Sequence, residues 1–496
     1  MIYRSTRSSV TASPAEAILA GIAPDGGLFL PREFVFEGFD AEKTATKDFY
    51  GIAEDVLYAL FPEFSREEIA EIVRLAYTGK FETEDLTPTV PVGDNYVLEL
   101  FRGPTCAFKD VALSVLPHLM TASRAKCGET DEIVILTATS GDTGKAALKG
   151  FQDVPGTKIL VFYPHGGVSA VQRAQMVTQK GENTFVSAIR GNFDDAQTGV
   201  KRIFGDFAAE HTMEGTGARL SSANYINIGR LAPQIVYYFK AYGDLMRSGR
   251  IAWGDEVDFV VPTGNFGNIL AGYFARIMGL PVGKLVCASN ANNVLTDFIR
   301  TGTYDKRRPF YLTQSPSMDI LVSSNLERLL FLLSDGDDKA VAGWMAALSK
   351  EGVYTVPETL RAKMNEVFVG YCYDDKASSE VLGRVLRETG YLCDPHTAVA
   401  YAAAEEYRRD SETKNPVVVL ATASPFKFSR PVLAAMGEDA TGDEFDLLGR
   451  LSAKSGLPVP SSLAELSELP ERHGGVIEKD EMADFVLEKI GSKKGK

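Results

Sequence analysis

The sequence predicts an α/β protein with parallel sheets in two lobes and a helical cap in front of them. Three observations carry that prediction. Apolar, β-branched runs of strand length recur, as in Ile133-Val134-Ile135-Leu136, Val257-Asp258-Phe259-Val260-Val261 and Pro416-Val417-Val418-Val419-Leu420. They end in turns of small, hydroxyl or amide residues, and helix-forming stretches lie between them, which is the mark of βαβ units with parallel strands. Residues 1–95 instead alternate helical stretches with turns.

In chain order, the cap spans 1–95, with amphipathic helices expected over Ala41–Leu60 and Ser65–Tyr77. A first lobe is expected over 96–230, with strands at 133–139, 158–163 and 184–189. A second is expected over 231–430, with strands at 257–262, 284–289 and 416–422. The stretch Asp297–Arg308 and the loop Gln314–Asp319 interrupt it. Residues 431–496 read as a helical tail, with a helix over Lys479–Ile490 and a frayed end at Ser492–Lys496. Pro458–Ser462 is the nearest thing to a linker.

Three segments carry chemistry. Lys109 stands in Gly103-Pro104-Thr105-Cys106-Ala107-Phe108-Lys109-Asp110, just after the strand-like run Tyr96–Leu100. Poor solvation disfavours a lysine's charged form and frees the amine as nucleophile or base. Taken alone, the segment favours a plainer reading, a lysine that buries its stem and snorkels to water. Two turns reverse that balance. Thr137–Lys145 puts Thr139, Ser140, Gly141, Asp142 and Thr143 between a strand and a helix, where free N–H groups and a helix dipole favour an anion. A capped βα turn fits the same residues equally well. Pro262–Asn268 also follows a strand and opens a helix, and Gly264 and Gly267 let N–H groups converge on a phosphate. Neither turn has the spacing of a dinucleotide fingerprint or a P-loop.

A desolvated lysine, an anion turn and a phosphate cradle together suit pyridoxal 5'-phosphate, which needs a lysine, phosphate donors and a partner for its ring nitrogen. Thr422 or Ser424, after the run Pro416–Leu420, supplies a neutral hydroxyl for that nitrogen; Thr422 fits better still as a β-branched strand residue.

At this point the chain resembles the threonine synthase family, in its longer bacterial and fungal form, almost end to end. The resemblance rests on Tyr3–Arg7, Asp25–Pro31, Gly103–Asp110, Thr139–Gly144, Ser169–Met176, Ser222–Asn227, Thr263–Asn268 and Asp394–Ala398, in the family's order. One departure is Ser424, where many relatives carry histidine, which counts against proton transfer there. The resemblance implies the tryptophan synthase β-like pyridoxal (fold type II) architecture, with the cofactor between two lobes. It implies conversion of O-phosphohomoserine and water to threonine and phosphate by γ-elimination and β-addition, the last step of threonine biosynthesis. Lys109 would then carry the cofactor and act as base. Gly264, Asn265, Phe266, Gly267 and Asn268 would hold its phosphate, and Thr422 would meet its ring nitrogen. Thr139, Ser140, Asp142 and Thr143 would lie beside the substrate carboxylate or the ring oxygen. For the departing phosphate the candidates, in order, are Lys145, Arg173, Asn192, Asn224 and Arg230, each of which also reads as a surface charge or a cap.

Composition excludes more than it selects. Of 496 residues, 45% are hydrophobic, as expected of a large globular core, and the net charge of −14 argues against nucleic acid and anionic membranes. The five cysteines form no C-x-x-C pair, which points to reduced thiols, no zinc site and a cytoplasmic setting. Cys106 reads as a packing residue. No targeting segment or membrane-length apolar run is present in the sequence, and a monomer or small homo-oligomer is expected. A serine or threonine dehydratase of the same fold, a cofactor-binding relative without turnover and a cofactor-free metabolite-binding protein remain as alternatives.

Overall fold

The computed structural model describes residues 1–139 and 141–491; Ser140 and the expected frayed end Ser492–Lys496 lie outside the described residues. Two parallel-stranded sheets form the body. The six-stranded sheet runs in the spatial order Phe368–Cys372, Val282–Ser289, Val257–Pro262, Val417–Ala421, Asn95–Glu99, Thr89–Val92, and its last pair is antiparallel. The five-stranded sheet runs Val476–Glu478, Thr184–Arg190, Thr157–Pro164, Glu132–Ala138, Ala218–Ser221, parallel throughout. Helices cover both sheets, so the strands are buried on both faces and read as continuous apolar runs.

The expected boundary at residue 96 cuts across the sheets. Tyr96 to Glu99 pair in parallel with Val418 to Ala421, so this strand completes the six-stranded sheet, where Val97 and Leu98 are fully buried. The tail is not wholly helical either. Val476–Glu478 adds an edge strand to the other sheet, and the final helix is Met482–Ile490. In the cap, the expected helix over 41–60 is two helices, Ala41–Ala45 and Phe49–Leu60, because Asp48 caps a new helix start. Short antiparallel strands at Tyr3–Ser5, Thr11–Ala12 and Phe29–Pro31 escaped the sequence reading, being too short to show a period.

The cap is joined to the body by Arg328, which is fully buried. Its guanidinium donates to the Phe29 carbonyl at 3.0 Å, Asn325 Oδ1 at 2.6 Å and the Ile226 carbonyl at 2.6 Å. One arginine thus ties a cap strand to the segment that follows Tyr225. No helix among the described residues is long and apolar enough to cross a membrane.

A close approach sets the geometry between the lysine segment and the first glycine turn. Helix Lys109–Lys126 packs on helix Asp142–Phe151, and a β-carbon placed on Gly150 would lie 2.0 Å from the Leu113 carbonyl oxygen. Only glycine permits that contact. Gly150→Ala is expected to push the helices apart and to destabilise the protein by about 1–3 kcal/mol. A urea-unfolding midpoint equal to that of the parent would contradict this account of the packing.

Candidate functional site

The lysine loop is built by its own side chains. Asp110 is buried and accepts from the Thr105 backbone N–H at 2.8 Å and the Thr105 hydroxyl at 2.5 Å. Gly103 lets the loop close, since a β-carbon there would lie 2.5 Å from that of Asp110. The loop is zipped to the end of strand Val417–Ala421: Phe108 N–H donates to the Thr422 carbonyl at 2.9 Å and Ser424 N–H to the Cys106 carbonyl at 3.0 Å. Cys106 sits in this turn at φ +59°, fully buried as expected of a packing residue, with Sγ 3.3 Å from Ser462 Oγ. The segment 458–462 is therefore tied to the body.

Lys109 is the first residue of its helix and is 3% exposed. Its amine donates to Ser317 Oγ at 3.2 Å and stands 3.7 Å from Asp142 Oδ2. The opposite oxygen of Asp142 is 2.6 Å from Lys427 Nζ and accepts from Gln172 Nε2 at 3.2 Å. Lys427 also donates to the Thr105 carbonyl at 3.0 Å. Burial alone would favour the neutral acid, but the Lys427 and Lys109 ammonium groups hold the Asp142 carboxyl well below the usual carboxylate range.

The loop Pro262–Asn268 forms one wall of a cleft with an empty volume of about 390 Å³, facing Phe108, Tyr225, Ser317, His396 and Thr422. Phe266 occupies the left-handed region at φ +63° as N-cap of helix Gly267–Ile277, which has no side-chain cap. A residue with a side chain is strained there, by about 1–2 kcal/mol. Its ring is buried and packs on Phe368. The turn leaves the N–H groups of the helix start free beside the cleft. Gly264 is required by a close approach rather than by φ, since a β-carbon on it would lie 2.6 Å from the Ser317 carbonyl oxygen. Asn268 Oδ1 accepts from the Tyr237 and Tyr238 hydroxyls at 2.7 and 3.0 Å, and its buried Nδ2 has no hydrogen-bond partner. A buried donor without a partner, on a glycine loop at an uncapped helix start, fits a phosphate.

His396 closes the far side. Asp394 Oδ2 lies 2.5 Å from Nδ1, and Nε2 accepts the Ser317 N–H at 3.2 Å, which fixes the ring and the 313–319 loop together. Thr422 lines the cleft, whereas Ser424 Oγ accepts from Phe426 N–H and caps a short turn.

Other expected residues are placed differently. Thr139 uses its hydroxyl to accept from Gly141 N–H at 2.9 Å and Gly144 N–H at 3.0 Å, so it braces the turn. Gly141 takes φ +141°, open to glycine alone. Ser140 lies outside the described residues. Thr143 lies against Tyr225, and Asn224 Oδ1 accepts from Thr137 Oγ1 at 3.2 Å. Lys145, the first candidate for the departing phosphate, is buried and donates to Gln179 Oε1 at 2.7 Å, a structural bond rather than a free cation at the cleft. Burial and the neighbouring Lys149 ammonium pull its amine down to about 7. Arg173 is half-exposed and paired with Glu471 at 2.5 Å, and Asn192 is an exposed helix cap. Arg230 is different. It is fully buried, no carboxylate pairs with it among the described residues, and its Nη2 has no hydrogen-bond partner. Its guanidinium lies 3.8 Å over the ring of Tyr225, a wall of the cleft.

Sequence reading passed over Lys427, Ser317, His396 and Tyr225 as site residues. Each stood inside or beside a segment already singled out, but nothing in its spacing marked which side chain would turn inward.

With this geometry in place, comparison with known proteins is direct. The family model "Pyridoxal-phosphate dependent enzyme" matches residues 93–423, "Threonine synthase N terminus" matches 2–77 and "Threonine synthase, C-terminal" matches 397–486. Threonine synthase of Pseudomonas aeruginosa is 39% identical, over 96% of this chain and 99% of the relative. The chain belongs to the threonine synthase family. The crystal structure of pyridoxal-phosphate-bound threonine synthase from Brucella melitensis superposes with a TM-score of 0.87 at 36% identity, covering 99% of this chain and 100% of that one. Human threonine synthase-like 1 is 37% identical over 92% of this chain, which spans 63% of that longer protein's length. The fold is that of the fold type II pyridoxal enzymes, and the cofactor is pyridoxal 5'-phosphate.

Two outcomes test the site. Gly264→Val is expected to weaken cofactor retention about tenfold or more, since overpacking costs about 1–3 kcal/mol. Unchanged retention after dialysis would place the cradle elsewhere. Lys145 bears on pH stability. Between its folded value of about 7 and the ordinary 10.5, the unfolded chain holds more protons, so stability rises with pH across that window and the full burial cost applies below it. Lys145→Met should therefore raise the melting temperature most below about pH 7, with the gain vanishing above about pH 10. A gain independent of pH would show that the amine is not buried in its charged form.

Proposed function

We propose that the protein converts O-phosphohomoserine and water to L-threonine and phosphate. The observation that supports the reading is a buried guanidinium behind the cleft wall, outside the Gly264–Asn268 loop. Arg230 is a buried guanidinium with an unpartnered nitrogen, stacked on Tyr225, which lines the cleft together with Ser317, the acceptor of the Lys109 amine. A buried cation without a carboxylate is costly unless an anion completes it. A phosphate on the substrate is such an anion, and it needs strongest stabilisation as it departs.

When bound, pyridoxal phosphate supplies the electron sink that makes the substrate's Cα and Cβ protons removable. The chain's own groups do the rest. Lys109 would hold the cofactor through its amine, and the same amine is the group placed to act as base at the substrate's Cα. Backbone N–H groups of Gly264–Asn268 and the unpartnered Nδ2 of Asn268 would hold the cofactor phosphate. Thr422, which lines the cleft, would offer the cofactor's ring nitrogen a neutral hydroxyl. Asp142, kept ionised between Lys427 and Lys109, orients the lysine. Asn224 and Thr143, beside Tyr225, are further donors for the substrate. Five free cysteines, three of them buried, suit a reducing compartment such as the cytosol.

The experiment is phosphate release from O-phosphohomoserine by the parent, Lys109→Ala and Arg230→Gln. Lys109→Ala is expected to abolish release. Arg230→Gln is expected to slow it about 100-fold while the cofactor's visible absorption is kept. Equal turnover of serine and O-phosphohomoserine by the parent would overturn the reading in favour of a dehydratase.

A further inference from the structure

Ser317 belongs to neither glycine turn, yet it touches the lysine directly. Its hydroxyl accepts from the Lys109 amine at 3.2 Å, the one hydrogen bond that amine makes among the described residues. Asp142 Oδ2 is farther away, at 3.7 Å, and the other oxygen of that carboxylate is engaged by Lys427 at 2.6 Å and Gln172 at 3.2 Å. The Ser317 backbone is held on both sides. Its N–H donates to His396 Nε2 at 3.2 Å, and its carbonyl oxygen would lie 2.6 Å from a β-carbon placed on Gly264. Asp319 braces the same loop, accepting from the Nδ2 groups of Asn290 and Asn292 at 2.7 and 3.0 Å.

Taking Lys109 as the cofactor lysine, we propose that Ser317 is a positioning residue for its amine. His396 in turn sets Ser317 by presenting an unprotonated Nε2 to its backbone N–H.

The chemistry favours a hydroxyl at this point. An amine attacks a carbonyl carbon only when it is unprotonated. A carboxylate in direct contact favours the ammonium, whereas a neutral hydroxyl fixes the direction of the amine with less bias toward its charged form. Ser317 thus holds the amine off Asp142 and beside the cleft, which Ser317 itself lines. His396 must be one tautomer for this, because Nε2 accepts a backbone N–H only when it carries no proton. Asp394 enforces that form. Its Oδ2 lies 2.5 Å from Nδ1, which carries the proton and donates it. Asp394 is itself fixed as the N-cap of helix Pro395–Ser411, accepting from Thr397 N–H at 3.0 Å and His396 N–H at 3.1 Å. The ring of Phe428 packs edge-on against the imidazole, with centroids 5.0 Å apart. A chain of contacts therefore runs from a helix cap, through one imidazole and one backbone amide, to the lysine.

The test follows covalent capture of pyridoxal phosphate by the full-length protein after its cofactor has been resolved. Capture is read by visible absorption, and no substrate is present. Ser317→Ala should capture about tenfold more slowly, the loss expected for one hydrogen bond to a charged group. Two histidine variants then separate the ring nitrogens. Asparagine puts its amide where Nδ1 stands, so it keeps Asp394 and cannot reach Ser317. Glutamine puts an amide oxygen where Nε2 stands, so it can accept the Ser317 N–H. His396→Gln should therefore capture about tenfold faster than His396→Asn. A loss of packing alone would slow both variants alike. Capture by Ser317→Ala at the parent rate, or equal rates for the two histidine variants, would overturn the proposal. Should the histidine variants fail to fold, the rate of Ser317→Ala decides. Borohydride reduction of the parent should fix the cofactor on Lys109, as read by peptide mass. Label on another lysine would overturn the lysine assignment and this proposal together. Parent rates in the variants, with Lys109 labelled, would overturn this proposal alone.

Discussion

The site depends on one buried carboxylate. Asp142 stands between Lys427 at 2.6 Å and Lys109 at 3.7 Å, and all three are nearly inaccessible to water. Burying a charge costs several kcal/mol, and the cost is offset only when partners are well placed. The three residues come from three separate segments: the start of helix Lys109–Lys126, the start of helix Asp142–Phe151 and the turn after strand Val417–Ala421. Loss of Asp142 would leave two buried ammonium groups without a carboxylate between them. The arrangement therefore demands that both sheets and the lysine loop meet in one register.

The features around it follow from that demand. Gly150 lets the two helices touch through the Leu113 carbonyl, which sets how far Asp142 lies from Lys109. The antiparallel bridge Ala107–Ala423 carries the lysine loop along the strand end from which Lys427 reaches back. The Pro262–Asn268 loop carries a local strain at Phe266, held by ring packing, and Asn268 is oriented by two tyrosine hydroxyls. His396, set by Asp394, holds the 313–319 loop over the same space. The Pro262–Asn268 loop, Tyr225, Ser317, His396 and Thr422 thereby face one cleft.

Much of this was legible beforehand, and the misses have a common cause. The strands at 133–139, 158–163, 184–189 and 257–262 were readable because buried parallel strands leave continuous apolar runs. Lys109 and the glycine loop were readable because their unusual neighbours are sequence neighbours. The strands at Ala218–Ser221, Phe368–Cys372 and Val476–Glu478 are short edge elements, and the first and last carry polar residues that blur any period. Lys145 was ranked first as a phosphate ligand because it follows the anion turn. Helical geometry turns it to Gln179, while Arg230, the last candidate, is a buried cation with an unpartnered Nη2.

Local chemistry along the chain was enough to predict the fold class and to single out the Lys109 segment and the Pro262–Asn268 loop. Hydrophobic period, turn glycines and a lysine among apolar residues are properties of adjacent residues. Only the tertiary structure decided that Asn95–Glu99 belongs to the six-stranded sheet, that Lys427 and Asp142 form an ion pair, and that Arg230 stacks on Tyr225. Those facts depend on which side chains from distant segments are desolvated together. Burial and pairing are relations across the fold, and no window of sequence contains them.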